Sequence, residues 1–289
     1  MTLHIGIDLG TSGIKAVLIE DLQTVVAVAA TAIAVSRPFV GHSEQDADLW
    51  VSSVFACLDQ LAVLAPKHMA AVCGIGLSGQ MLAALVLDAN LRPLRPAMLW
   101  NDQRALAECA ELLAAVPDIG LRTNGTPDPG LTAPKLMWLR RHEPALMDRA
   151  RMLMLTKDYV RLALTGEVAT EPSDAGGTQL FDVALARWDT ELCGAVGWDP
   201  AYLPAVLHSW AAAGRVKPDL LARWGMVGPV AVAAGAGDNM GSTLGAGAAR
   251  AGRRRSPPSG PPRGRRAGRT PGPHRQPARE WPTRWASSS

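Results

Sequence analysis

Three short stretches of this 289-residue chain hold residue types that could do chemistry. The first, GIDLGTSGIKAVLIED, runs from Gly6 to Asp21. Asp8 ends one apolar run, and Gly10-Thr11-Ser12-Gly13 forms a turn before the next. Two glycines there can take positive φ, and two hydroxyls beside backbone N–H groups can face an anion. A carboxylate at the strand end could face a hydrated magnesium ion. The same residues would equally make a plain β-hairpin with one satisfied aspartate. The second stretch is Gln80-Met81-Leu82 in GLSGQMLAALVLD, followed by Trp100-Asn101-Asp102 in AMLWNDQRA. In the third, AGAGDNMGSTLGAG, Asp238 follows a glycine-rich turn. That places it either at the ligand-facing end of a strand in an open α/β sheet or at the N-cap of the next helix.

These residues need elements to hold them. Residues 3–9, 14–20 and 24–35 read as three consecutive strands rich in Val, Ile and Ala. A helix is expected from about Asp46 to Leu64, capped by Asp46 or Asp48, with Leu49, Val54, Leu58 and Leu61 at helical spacing. Strands follow at 72–78 and 82–88, helices at 103–115 and 132–142, and Pro134 suits the start of the second. A short strand at 151–155 leads into a helix that stops at Gly166. A strand over 228–239 enters the glycine-rich turn, and a helix of small residues comes after it. Strands alternating with helices give an α/β fold with a mixed, twisted sheet.

The net charge of +3 hides a split. Residues 1–250 carry 19 Lys and Arg against 25 Asp and Glu, whereas residues 251–289 carry ten Arg against Glu280 alone. An acidic body argues against broad nucleic-acid binding. Cys57, Cys73, Cys109 and Cys193 share no short spacing, so neither a zinc site nor a disulfide framework is expected. Asp8 interrupts the N-terminal apolar stretch, which argues against a signal peptide, and no apolar run reads as a membrane span. A cytoplasmic chain is the expectation. Residues 251–289 hold eight Pro and five Gly but no Leu, Ile, Val, Phe, Met, Tyr or Lys. Such a tail is expected to be disordered. It reads as the product of a shifted reading frame through GC-rich DNA, with a basic nucleic-acid arm as the other reading.

In order and spacing, the three stretches resemble the FGGY family of sugar kinases, in particular its xylulokinase type. TAPKLMWLRRHEP (132–144), KDYVRLALTGE (157–167) and EPSDAGGTQLFDV (171–183) add to the resemblance, which covers nearly all of residues 1–250. The resemblance implies an actin-like, ribonuclease H-like ATPase fold. It implies ATP and magnesium as cofactors and a small-molecule ketopentose as partner, converting D-xylulose to D-xylulose 5-phosphate. It makes Asp238 the general base that accepts the sugar hydroxyl proton, and Asp8 the acid that helps hold magnesium. Gly10, Thr11, Ser12 and Gly13 become the first phosphate turn. Gln80, Met81, Leu82, Trp100, Asn101, Asp102 and Asp238 become the sugar contacts. A Trp beside two polar residues suits a polyol, offering a flat apolar wall with hydrogen bonds at its edge. Neither nucleic acid nor membrane is expected as a partner, and a homodimer stays open.

Two positions depart from the family pattern. Leu82 stands where His usually follows Gln-Met, so xylulose preference turns on whether that contact runs through backbone or imidazole. Gln103 stands where Gly is common. The expected division is a sugar-binding domain at 1–250 and a non-native tail at 251–289, with the nucleotide domain of the family absent, so that this chain by itself is expected to be inactive as a kinase. The alternative function is a non-enzymatic remnant or a one-domain sugar-binding module.

Overall fold

The computed structural model describes residues 2–123 and 125–247. The expectations for the 251–289 tail therefore lie outside the described residues. The chain opens with a meander, β1 (Leu3–Leu9), β2 (Gly13–Glu20) and β3 (Thr24–Ala32), paired antiparallel. Side chains of a strand alternate between faces. Leu3, Ile5, Ile7 and Leu9 are buried with Ile14, Ala16 and Leu18, while Gly6 and Asp8 face solvent. β1 also pairs parallel with the central strand Val72–Gly79, which in turn pairs parallel with Ala231–Ala233 and Ala236–Gly237. Ala212–Arg215 closes the edge antiparallel, completing a mixed seven-stranded sheet.

The 18-residue helix α1 (Ala47–Leu64) lies on the apolar face. Asp46 is its cap, accepting the Asp48 N–H at 3.0 Å. Asp48 instead accepts the Tyr159 hydroxyl at 3.0 Å. By length and composition alone α1 is apolar enough to cross a membrane, as core helices often are. Its Trp50, Val54, Cys57, Leu58 and Leu61 are fully buried in the core formed with the sheet. A second core gathers Val86, Met98, Leu112, Ile119, Leu136, Leu139, Leu153 and Leu180. All four cysteines are free.

Several boundaries differ from expectation, each for a local reason. The 82–88 strand shrinks to Leu85–Leu87 because the chain turns at Leu82, whose φ is 68°. The 103–115 helix starts only at Leu106, because the backbone and guanidinium of Arg104 bind the Asp102 carboxylate. The 228–239 strand splits at Gly235 (φ 91°), where a Cβ would collide with the Leu77 carbonyl.

Beneath the sheet ends lies a buried ionic cluster. Lys157 meets Asp158 at 2.9 Å, Asp174 at 3.0 Å and Glu171 at 3.5 Å, and Arg161 meets Asp158 at 2.9 Å. All five side chains are fully buried. Two cations face three carboxylates, so one negative charge is in excess. Burial pushes the Asp174 carboxyl up to about 7; Lys157 opposes the rise, and Asp158 and Glu171 add to it. An unfolded aspartate titrates near about 3.9. Between those values the folded chain keeps a proton that the unfolded chain releases, so stability falls as pH rises through the window. Asp174→Asn should remove this loss. Comparing thermal melts of the two chains at pH 5 and pH 8, we expect the wild type to lose at least about 1 kcal/mol more, or about 2–4 °C. Equal losses in both chains would refute the assignment.

Candidate active site

The register of the parallel strands brings the three motifs together. Asp8 lies beside Ser78 and Leu9 beside Gly79, while Ala236 and Gly237 pair with the same two residues from the other side. The 10–13 turn, the Gln80–Leu82 segment and Asp238 all leave the sheet at one edge. Open α/β sheets place ligands beyond the carboxyl ends of their parallel strands.

A cavity of about 390 Å³ opens there, lined by Met81, Leu82, Trp100, Leu131, Gly176, Gly177, Gln179, Asp238 and Asn239. This volume is in the range of small-ligand clefts. Four residues singled out from the sequence, Met81, Leu82, Trp100 and Asp238, line it. Leu131, Gly176, Gly177, Gln179 and Asn239 were missed as individual positions, although Gly176, Gly177 and Gln179 fall in the EPSDAGGTQLFDV segment and Asn239 in AGAGDNMGSTLGAG.

Asp238 is the first residue of the helix Asp238–Gly245, and the cap position belongs to Gly237, so the reading of Asp238 as N-cap does not hold. Its carboxylate accepts the Asn239 N–H at 2.7 Å. The Asp8 carboxyl, at the end of β1 and outside the cavity lining, is raised above the ordinary carboxylate range. Partial desolvation is the main cause, the Asp238 charge adds to it, and Lys15 opposes. A carboxylate in the field of a second one suits a cation.

The glycines of the 10–13 turn act through space rather than through φ. Neither takes a positive φ, contrary to expectation. A Cβ on Gly10 would sit 3.0 Å from the Gly13 carbonyl, and one on Gly13 would sit 3.0 Å from the Thr31 carbonyl. The Thr11 hydroxyl is also committed within the protein, donating to Gln80 Oε1 at 3.0 Å and accepting from Trp100 Nε1 at 2.9 Å. Gln80 is buried; its Nε2 donates to Gln45 Oε1 at 2.8 Å, which also takes the Trp50 indole N–H at 2.9 Å. Gln45 Nε2 donates to the Thr11 carbonyl at 2.7 Å. Thr11 and Gln80 therefore hold Trp100 at the pocket wall instead of lining it. Ser12 remains exposed.

Asp102 is fully buried and turned into an ion network. It accepts the Ser43 N–H at 2.7 Å and the Arg104 guanidinium, and Arg104 also binds Glu44 at 2.6 Å. Burial alone would raise its carboxyl, but the Arg104 and Ser43 donors outweigh that and hold it below the usual range. Neither Asp102 nor Asn101 lines the cavity.

Leu82 carries backbone strain, since a leucine at φ 68° costs on the order of 1–2 kcal/mol. Its carbonyl accepts Lys135 Nζ at 3.0 Å and the Thr132 hydroxyl at 3.2 Å. Lys135 also donates to the Gly130 carbonyl at 2.6 Å, and burial drives its amine down to about 7, with Asp102 opposing. The strained turn aims the Leu82 side chain at Gly177, where a Cβ would collide with Leu82 Cδ2.

Residues 3–245 match the N-terminal domain of the FGGY family of carbohydrate kinases, and the chain belongs to that family. The fold is the actin-like ATPase fold of those kinases. The chain is 40% identical over 251 residues to a xylulose kinase from Klebsiella pneumoniae, covering 87% of this chain and 51% of that one. A crystal structure of a xylulose kinase from Rhodospirillum rubrum superposes with a TM-score of 0.82 at 30% identity, covering 86% of this chain and 52% of that one. A xyloylose kinase from Brucella ovis gives 0.80 at 43% identity, covering 82% and 49%. The chain spans about half the length of the curated relatives it matches.

Gln80 ties the turn to the wall, so its loss should be felt in stability. Gln80→Leu leaves the Thr11 hydroxyl and the Gln45 carbonyl each short of a partner. Urea unfolding should show a loss of about 1–3 kcal/mol; a change below about 0.5 kcal/mol would mean the network is incidental.

Proposed function

We propose that this chain forms the sugar-binding wall of a xylulose kinase, which transfers the γ-phosphoryl of ATP to D-xylulose and releases ADP and D-xylulose 5-phosphate. The observation that carries the reading is the position of Asp238. Its carboxylate edges the cavity walled by Met81, Leu82 and Trp100, and its charge reaches Asp8. A sugar lying against the Trp100 face presents a hydroxyl to Asp238. Asp238 takes the hydroxyl proton as the oxygen attacks the γ-phosphorus, and the bond from that phosphorus to the β-phosphate oxygen breaks. Leu131 and Leu82 keep water from the acceptor side. The backbone N–H groups and Ser12 of the turn face the phosphates.

The donor set fits magnesium. Among the described residues no cluster of three or more His, Cys, Asp or Glu could form an all-protein cage. Magnesium keeps its waters and is held through one or two carboxylates and substrate phosphates. Asp8, already within the field of the Asp238 charge, would hold it, and the ion would supply neutralisation of phosphate charge.

A second reading rests on the chain spanning about half the length of its relatives. In it, the 289-residue polypeptide alone binds the sugar without turning it over, because phosphoryl transfer needs donors on both sides of the transferring group. Calorimetric titration with D-xylulose, beside an assay of ATP-dependent ADP release, separates the two. Binding that weakens at least about tenfold in Trp100→Ala supports the sugar site. Turnover that vanishes in Asp238→Ala supports complete transfer by this chain, and binding without turnover supports the second reading. No binding of D-xylulose at millimolar concentration would overturn the assignment of the cavity. Leu82→His should change D-xylulose affinity by about threefold or more and leave ATP affinity unchanged. An effect on ATP alone would remove Leu82 from the sugar wall.

A further inference from the structure

The turn that delivers Asp238 is anchored from below as well as by its strand pairing. Arg161 Nη1 donates to the Ala234 carbonyl at 2.9 Å, the Gly235 N–H donates to the Ser209 carbonyl at 3.0 Å, and the Gly237 N–H donates to Ser173 Oγ at 3.0 Å. The last contact acts on the residue adjoining Asp238. Gly237 caps the helix Asp238–Gly245 but has no side chain with which to fix the entry of the chain. Ser173, 64 residues away in sequence, provides the hydroxyl instead.

That hydroxyl cannot rotate freely. Ser173 Oγ donates to Glu171 Oε1 at 2.8 Å, which leaves its lone pairs for the Gly237 N–H. Glu171 is itself fixed. It is fully buried and accepts the Ser173 and Asp174 N–H groups at 2.8 and 2.9 Å and the Ser209 hydroxyl at 2.7 Å, with Lys157 at 3.5 Å. A hydrogen bond to a charged acceptor is stronger and more directional than a neutral one. Ser209 appears twice, through its hydroxyl on Glu171 and its carbonyl on Gly235, so both ends of the turn refer to one buried carboxylate.

We propose that Ser173, oriented by the buried Glu171–Lys157 pair, is a positioning residue that sets where Gly237 and the Asp238 carboxylate stand at the cavity. The mechanistic weight of this placement rests on the reading of Asp238 as the general base; the placement itself does not. Ser173 holds the Gly237 amide, the amide fixes the first turn of the helix, and that turn aims the carboxylate. A lost hydrogen bond of this kind is worth about 0.5–1.5 kcal/mol, or about 2–12-fold in a local opening equilibrium.

The test uses the 289-residue chain and two NMR readouts, amide hydrogen exchange at Gly237 and at Asn239, whose N–H the Asp238 carboxylate accepts. In Ser173→Ala the Gly237 amide should exchange about 2–12-fold faster and the Asn239 amide should also exchange faster, while amides of Ile5 and Ile7 in β1 exchange as in the wild type. Ser173→Thr, which keeps the hydroxyl, should restore both readouts. Ser173→Cys, with a weak acceptor, serves if the alanine variant loses its fold. Unchanged Gly237 and Asn239 exchange in a folded alanine or cysteine variant would overturn the proposal, as would a threonine variant resembling the alanine one. D-Xylulose titration of the same samples reads the function separately. A wild-type chain that ignores the sugar but shows the Ser173 effect refutes the kinase reading and leaves the positioning intact.

Discussion

The rest of this molecule depends on the alignment of three parallel strand ends. Leu9 pairs with Gly79, Gly79 pairs with Gly237, and the Gln80 N–H reaches back to the Leu9 carbonyl at 2.9 Å. A slip of one residue in any strand would exchange its two faces. In β1 it would bury Asp8 and expose Ile7. In the central strand it would turn Leu77 outward and lose the core contact with α1. The hydrophobic alternation that builds the core therefore also fixes the separation of Asp8, the Gln80–Leu82 segment and Asp238. Function at the edge uses precision that the core already requires.

Polar side chains then couple the three ends to one another. The path from Trp50 through Gln45 and Gln80 to Thr11 and Trp100 runs from the core to the cavity wall without an unpaired step. On the other side, Lys157, Glu171 and Ser173 lead from a buried charge cluster to the Asp238 turn. Such clusters gain little net stability over apolar packing, yet breaking one partner is costly, on the order of 3–5 kcal/mol. Their yield here is a defined geometry for loops that carry few apolar side chains of their own.

Much of this was legible in the sequence, and the remainder divides by range. β1, α1, the 132–142 helix and the Gly166 stop follow from local periodicity and capping, and they lie within a residue of the expected positions. The ordered motifs pointed to Asp8, Asp238, Met81, Leu82 and Trp100, all of which stand at one sheet edge. What the sequence concealed needs a partner far along the chain. Asp102 looks like a sugar contact until Arg104 and Ser43 claim it. Thr11 looks like a phosphate ligand until Gln80 and Trp100 claim its hydroxyl. Leu82 gives no hint of φ 68°, because the strain is offset by Lys135, 53 residues away. Gln45 carries no local signature at all.

The contact between Leu82 and Gly177 makes the cavity's width a shared quantity of two positions. A side chain added at 177 would push the Leu82 side chain aside, and shortening Leu82 would widen the same cavity from the opposite wall. The two residues, 95 apart in sequence, therefore set one dimension of the cavity together. A comparison that scores each position alone would understate how freely this wall can be reshaped.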